Sequence, residues 1–355
     1  MASDANGGDA KGGYDSAADP TEDDPAARLD RLTDLATPFA VRTAVTLRVP
    51  DRIAAGAGHL DELAAACGAD RDALGRLLRF LAHRGVFVEV APETFTLTEL
   101  GTLLCHRDGG GHGAYLDLDG LGARMDLAFA GLPHAVRTGE PGYASVHGRD
   151  FWADLDAVPR FRAYFDDLMR SLQRVTAPEV AALYPWRHVG HVTDVGGGSG
   201  GLLAELLGAH PHLRGTLVDR AEPAATAARM FAERGLADRA DVVAGDFFHP
   251  LPPGADVYLV SRVLTDWSDA HATAILRRCA DAAGPTGRIL VVEVLPTEPH
   301  VPHQSSYDLT MLVVVGGRER GLDDHIALAA AAGLRGVRTY RGSAGLTLME
   351  FAGLS

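Results

Sequence analysis

Asp194-Val195-Gly196-Gly197-Gly198-Ser199-Gly200 is the stretch that decides the fold. It follows the short apolar run His191 to Val195 and precedes the apolar segment Gly201 to Leu207, so it reads as a turn from a strand into a helix. Glycines at such a turn permit tight backbone geometry and let a ligand approach the main chain closely. Downstream, apolar runs at Gly215 to Val218, Asp241 to Ala244, Val257 to Ser261 and Arg288 to Val294 read as strands. Helical patterns at Ala224 to Arg234 and Ala270 to Ala283 separate some of them, and Leu346 to Phe351 is a late apolar run. Alternating β and α segments predict a parallel sheet with crossover helices, an α/β Rossmann-like domain.

A glycine-rich turn is shared by several nucleotide-binding folds. Asp219 ends the next strand, where an acidic side chain can accept both hydroxyls of a ribose, an arrangement that would also suit NAD. The third element discriminates: Gly245-Asp246-Phe247-Phe248 sets a carboxylate for an adenine amino group beside an aromatic face for the ring. A dinucleotide fold does not require that combination, so the reading is an S-adenosylmethionine site. Asp194, just before the turn, divides evenly between direct cofactor contact and capping the turn.

Upstream, helical patterns at Leu29 to Ala40, Val41 to Leu47, Leu60 to Cys67 and Arg71 to Arg84 lead into an apolar hairpin. Its strands are Val86 to Val90 and Thr94 to Leu97, around Ala91-Pro92-Glu93. Helices followed by a hairpin give a winged-helix order. With 33 Lys+Arg against 47 Asp+Glu the net charge is −14 and no basic stripe opposes it. The module is therefore expected to pack and dimerise, with no nucleic acid as partner. Leu32, Leu35, Ala36, Phe39 and Ala40 share one face of its opening helix. Residues 1–28 are expected to form a disordered leader, 29–104 the winged-helix-like dimerisation domain, 105–186 a helical linker and chamber wall, and 187–355 the cofactor domain. The three cysteines form no close-spaced pair, the leader lacks signal-peptide features, and no apolar run reaches the ~18 residues of a membrane span. The expectation is a cytoplasmic protein with no membrane partner.

The ordered set DVGGGSG, LVD, GDFFHPLP, VSRVLTDWSDAHATAILRRCADA, GRILVVEVLP and YDLTMLVVVGGRER resembles the small-molecule O-methyltransferases of the caffeate type, especially the actinobacterial branch that tailors aromatic polyketides. The similarity runs from about Leu29 to Ala352. It implies a homodimer acting on an aromatic small molecule. It further implies that Gly196, within Gly196-Gly197-Gly198, lies against the methionine moiety, that Asp219 holds the ribose, and that Asp246 and Phe247 hold the adenine. Ser261 matches a further cofactor contact. Arg162 matches an arginine that pairs with the cofactor carboxylate; its other reading is a surface helix arginine.

At the reacting end, methyl transfer to a phenol needs an aligned oxygen lone pair and is helped by a base. In the family a histidine immediately before Asp-Trp takes that role; here the position is Thr265, whose hydroxyl is no base at neutral pH. Glu293 and Glu319 match acidic residues that orient that histidine, and with Asp266 they are the remaining catalytic candidates. Trp267 reads as packing rather than substrate stacking. Fifteen histidines include His112, His134, His147, His249 and His303 near chamber segments, each more simply a surface or core residue. No spacing demands a metal. The leading expectation is O-methylation of a phenolic hydroxyl by proximity and orientation. Transfer to carbon or nitrogen and non-methylating chemistry such as hydroxylation, decarboxylation or a pericyclic reaction stand as alternatives.

Overall fold

The computed structural model describes residues 24–106, 111–296 and 302–354. The chain divides into two compact units, one ending at Cys105 and the other running from His106.

In the first unit, helices Pro25–Thr33, Ala36–Thr46, Val49–Ala54, Leu60–Cys67 and Arg71–Ala82 precede β1 (Phe87–Ala91) and β2 (Thr94–Leu97). β1 and β2 pair antiparallel, Phe87 opposite Leu97. The core is Val45, Leu60, Leu63, Leu74, Leu78, Leu81, Phe87 and Phe95, all buried. The opening helix differs from the expected Leu29 to Ala40 run. It starts at Pro25 and is cut at Asp34, whose Oδ1 accepts from the backbone N–H of Ala36 at 2.8 Å and of Thr37 at 3.2 Å. A carboxylate that satisfies orphan donors starts a new helix at that point. Leu29, Leu32 and Leu35 stay 60%, 82% and 70% exposed, a contiguous apolar stretch on this unit. The leader expected over 1–28 lies, for residues 1–23, outside the described residues.

The second unit is built on a seven-stranded sheet of β3 (His191–Val195), β4 (Arg214–Asp219), β5 (Ala240–Ala244), β6 (Val257–Ser261), β7 (Arg288–Val294), β8 (Leu334–Arg341) and β9 (Leu346–Gly353). Their order is β5-β4-β3-β6-β7-β9-β8. The first five are parallel, whereas β9 runs antiparallel to both β7 and β8. Both faces are buried, which is why the central strands read as continuous apolar runs. Within β6, Val257 and Leu259 join the core on one face with Leu203, Leu206 and Phe231; Tyr258 and Val260 join the other with Leu264, Ile275 and Leu276. β3 is the switch point: the chain grows to one side through β4 and β5, then crosses to β6 on the other. Ligands in open α/β sheets bind at the carboxyl ends of the strands beside such a point.

The segment between the units' sheets is helical, ending in the 25-residue helix Pro159–Leu183. Helix Pro302–Val314, helix Leu322–Ala331 and β8 were not anticipated. Among the described residues no helix is long and apolar enough to cross a membrane.

Candidate active site

The glycine turn adopts the backbone that its residue types permit. Gly196, Gly198 and Gly200 have φ of 72°, 59° and 83°, in the left-handed region where a Cβ is disfavoured. A Cβ on Gly196 would also stand 2.8 Å from Val263 Cγ2. The turn ends against helix Gly201–Ala209, and above it passes Pro159–Leu183. That long helix contributes Arg162, Phe165, Asp166, Met169, Leu172, Gln173 and Thr176, spaced by three and four residues and so on one face. Between helix and turn lies a cavity of about 280 Å³.

Seven of the nine residues expected at the cofactor line this cavity: Arg162, Gly196, Gly198, Asp219, Asp246, Phe247 and Ser261. Asp194 and Gly197 do not. Asp194 is buried beneath the turn, where a Cβ on Gly197 would come within 2.6 Å of its Oδ2. Burial, aided by the charge of Asp219, pushes its carboxyl up to about 7, and Oδ2 has no hydrogen-bond partner. Its placement favours support of the turn over direct contact.

Asp219 is tied to the turn by accepting from Gly198 N–H at 2.7 Å and from Arg220 N–H at 2.7 Å. Burial raises its carboxyl, and those two bonds oppose the rise. Arg162 is buried, not a surface arginine. Its Nη2 donates to Asp156 at 2.6 Å, while Nε lacks a hydrogen-bond partner and stands 4.0 Å from Glu222. Asp156 also takes Arg220 Nη1 at 2.8 Å, so one carboxylate braces two cavity-lining guanidiniums. Asp246 accepts from Phe248 N–H at 2.9 Å, which folds the Gly245–Phe248 loop and presents Phe247 to the cavity.

Trp267 packs edge-on against Phe247 and Phe248, with ring centroids 5.8 and 4.9 Å apart, and lies nearly parallel to Trp152 at 6.4 Å. It packs as expected, yet it and Trp152 also line the cavity, giving it an aromatic wall.

Thr265 is a donor: its hydroxyl gives a 3.3 Å hydrogen bond to Arg318 O, and its own carbonyl accepts Arg318 N–H at 2.9 Å. Gly317 must be glycine for this pairing, since a Cβ would fall 2.1 Å from Thr265 O. The catalytic candidates separate. Asp266 lines the large cavity; Glu293 and Glu319 line a neighbouring one of about 20 Å³, room for a single water, with Thr265, Tyr307 and His325. Burial pushes the carboxyls of Asp266 and Glu293 up to about 7, against the pull of Arg262, and Glu293 Oε1 has no hydrogen-bond partner. Of the histidines singled out, His112, His134 and His249 are exposed and His147 is bonded to Arg124 O at 2.8 Å. The side chain of His303 lies outside the described residues. None of those four borders the large cavity. His325 went unnoticed in the sequence; burial drives it down to about 4, so it is neutral at pH 7. Among the described residues no group of three His, Cys, Asp or Glu side chains is placed to hold a metal ion.

The chain matches the O-methyltransferase domain over residues 129–335 and the O-methyltransferase dimerisation domain over residues 29–107. It is 48% identical over 306 residues to 2,7-dihydroxy-5-methyl-1-naphthoate 7-O-methyltransferase of Streptomyces carzinostaticus, covering 86% of this chain and 92% of that protein. To aclacinomycin 10-hydroxylase of Streptomyces purpurascens it is 44% identical over 321 residues, 89% of this chain and 86% of the relative. The crystal structure of an O-methyltransferase from neocarzinostatin biosynthesis, in complex with S-adenosyl-L-homocysteine and 1,4-dihydroxy-2-naphthoic acid, superposes with a TM-score of 0.85. That pair shares 46% identity, covering 92% of this chain and 98% of the other. A domain match spanning more than half the chain, and relatives alike along nearly their whole length, show that the chain belongs to the S-adenosylmethionine-dependent O-methyltransferases and carries that family's dimerisation domain.

Proposed function

We propose that this enzyme methylates a phenolic hydroxyl of a fused-ring aromatic natural product, mainly by alignment, with Thr265 in place of the family's base histidine. The observation that carries the reading is the aromatic-walled cavity of about 280 Å³ in which the glycine turn, Asp219, Asp246, Phe247, Ser261 and Arg162 converge. Its residues fit the cofactor. The buried Nε of Arg162, without a hydrogen-bond partner, suits a carboxylate. A Cβ at Gly196 would fill the cradle beside Val263. Asp219 suits the ribose, Asp246 with Phe247 the adenine, and Ser261 a further polar contact. When bound, S-adenosylmethionine supplies an electrophilic methyl: an O–C bond forms as the C–S bond breaks and sulfur keeps the electron pair.

The chain's own residues then orient and dry the site. Trp152, Phe165, Phe247 and Trp267 offer flat apolar surface to an aromatic acceptor. Thr265 donates a hydrogen bond and takes no proton. Asp266 and Glu293, with carboxyls near 7, are the groups able to receive the phenolic proton at neutral pH. Glu319, beside Glu293, is assigned a supporting place. The naphthoate acceptor of the 48% identical relative supports a bicyclic aromatic substrate. Through the exposed Leu29, Leu32 and Leu35 the enzyme forms a homodimer, a reading supported by the matched dimerisation domain.

The 44% identity to a hydroxylase keeps one second reading, in which the same pocket serves oxygen insertion from dioxygen, with an added two-electron reductant taking the second oxygen atom to water. Incubation with S-adenosylmethionine and a panel of hydroxynaphthoates, analysed by mass spectrometry, separates them. Methyl transfer adds CH2 to the acceptor and yields S-adenosylhomocysteine; hydroxylation adds one oxygen atom and yields none.

A further inference from the structure

One cation at the site lies within the VSRVLTDW stretch and has been given no role so far. Arg262 follows β6 directly and holds a left-handed backbone, φ 54°, one of four non-glycine residues with positive φ among the described residues. Its N–H donates to Val292 O at 2.9 Å, fixing that turn against β7. Strained non-glycine backbone persists where surrounding structure imposes it, often at ligand sites. Arg262 borders the large cavity beside Ser261, Val263, Asp266 and Trp267, and also borders the small cavity beside Thr265 and Glu293. It therefore stands where the family's base position meets the acceptor space.

The other guanidiniums near this end are engaged. Arg162 and Arg220 share Asp156. Arg320 donates to Leu264 O, Trp267 O and Asp269, and Arg318 to Asp269. The Arg262 side chain has no hydrogen bond or ion pair among the described residues. Asp266 and Glu293 feel its charge without a hydrogen bond or ion pair to it, and burial pushes both carboxyls up to about 7. A half-buried arginine with free donors, in the lining of an aromatic-walled cavity, matches a planar oxyanion.

We infer that Arg262 binds an anionic oxygen of the acceptor, either a ring carboxylate or the ionised phenol itself. The inference rests on the aromatic-acceptor reading above and sharpens its substrate class to an acidic aromatic. In either case the unused cation replaces part of what the missing histidine supplied: it orients the ring, or it lowers the cost of ionising the reacting oxygen.

The test uses the full chain saturated with S-adenosylhomocysteine, with 3-hydroxy-2-naphthoic acid and 2-naphthol as probes. Calorimetry measures affinity and absorbance reports ionisation of the bound phenol. Arg262→Met is expected to weaken the naphthoate about 30-fold while leaving S-adenosylhomocysteine affinity within about two-fold, and Arg262→Lys to recover part of the loss. If the carboxylate is the partner, 2-naphthol binds both proteins alike and stays neutral. If the phenolate is the partner, 2-naphthol bound to the wild-type protein shows naphtholate absorbance at pH 7, and Arg262→Met abolishes it. Unchanged affinity and spectra for both probes in Arg262→Met, with S-adenosylhomocysteine still bound, would overturn the inference. Failure of the wild-type complex to bind either probe would instead remove the aromatic-acceptor reading beneath it, and the inference with it.

Discussion

Replacing Arg162 by Met removes one guanidinium from a buried position while keeping most of the apolar stem. Arg162 Nε has no hydrogen-bond partner and only a 4.0 Å ion pair to Glu222, while Nη2 donates to Asp156 at 2.6 Å. A bidentate pair with the cofactor's carboxylate would therefore add two charge-assisted hydrogen bonds, together about 3 kcal/mol, on the order of a 150-fold loss of affinity when they are removed. 5′-Methylthioadenosine retains the adenosine and the sulfur but has no amino-acid carboxylate. In calorimetric titrations the variant should bind S-adenosylhomocysteine about 150-fold more weakly and 5′-methylthioadenosine within about three-fold of wild type. Loss of both in equal proportion would mean that Arg162 merely holds the cavity's shape through Asp156. Loss of neither would remove Arg162 from the site. Asp156→Asn provides the intermediate case: it loosens both Arg162 and Arg220 and should reduce S-adenosylhomocysteine affinity by less than the Met variant.

Further outcomes follow from the same geometry. Thr265→Ala should retain kcat within about three-fold at neutral pH, because the hydroxyl is a donor to Arg318 O; a general base would cost at least about 100-fold, and such a loss would contradict the mechanism. Gly317→Ala forces a Cβ onto Thr265 O and should lower stability by about 1–3 kcal/mol, read as a drop in Tm of several degrees; an unchanged Tm would show that the Thr265–Arg318 pairing is dispensable. Asp194 titrates near 7 when folded and near ~3.9 when unfolded, so between those values the folded state binds the extra proton. Its contribution to stability is full below ~3.9 and is lost as pH rises towards 7; Asp194→Asn should flatten the decline measured by urea unfolding, and a parallel curve would refute it. Leu32→Asp with Leu35→Asp should turn a dimer into a monomer in light scattering if the exposed leucines meet a second copy.

The α/β half was legible because its central strands are buried on both faces and its turns carry their own chemistry. β3, β6 and β7 fall where the apolar runs stand, and Leu60–Cys67 and Thr94–Leu97 match the residues that periodicity picked out. The opening helix was misread because Leu29 to Ala40 keeps helical spacing across Asp34, and only the Asp34 cap shows the break. β8 escaped because Leu334–Arg341 is an edge strand whose residues are mostly exposed, with Arg335, Arg338 and Arg341 interrupting it, so neither apolar run nor clean alternation marks it. At the site, Asp219 and Asp246 stand at or just after the ends of β4 and β5, where the strand and turn pattern marks them, whereas Ser261 is singled out by the resemblance alone. Arg262 and Trp152 could not be placed. The first depends on a left-handed residue after β6, the second on a helix far upstream in sequence, and neither leaves a local pattern. For Asp194 the sequence leaves turn capping and cofactor contact open, and its burial beneath the turn favours the former.

The central claim, methyl transfer to an aromatic oxygen in the cavity between Gly196 and Arg162, is tested most directly by following the methyl group itself. The enzyme is incubated with S-adenosylmethionine carrying a carbon-13 methyl and with a panel of hydroxynaphthoates, and the product is examined by carbon NMR and mass spectrometry. The account predicts a labelled methoxy carbon on the aromatic ring, formed one-for-one with S-adenosylhomocysteine. A labelled ring methyl, or an unlabelled product heavier by one oxygen atom, would contradict it.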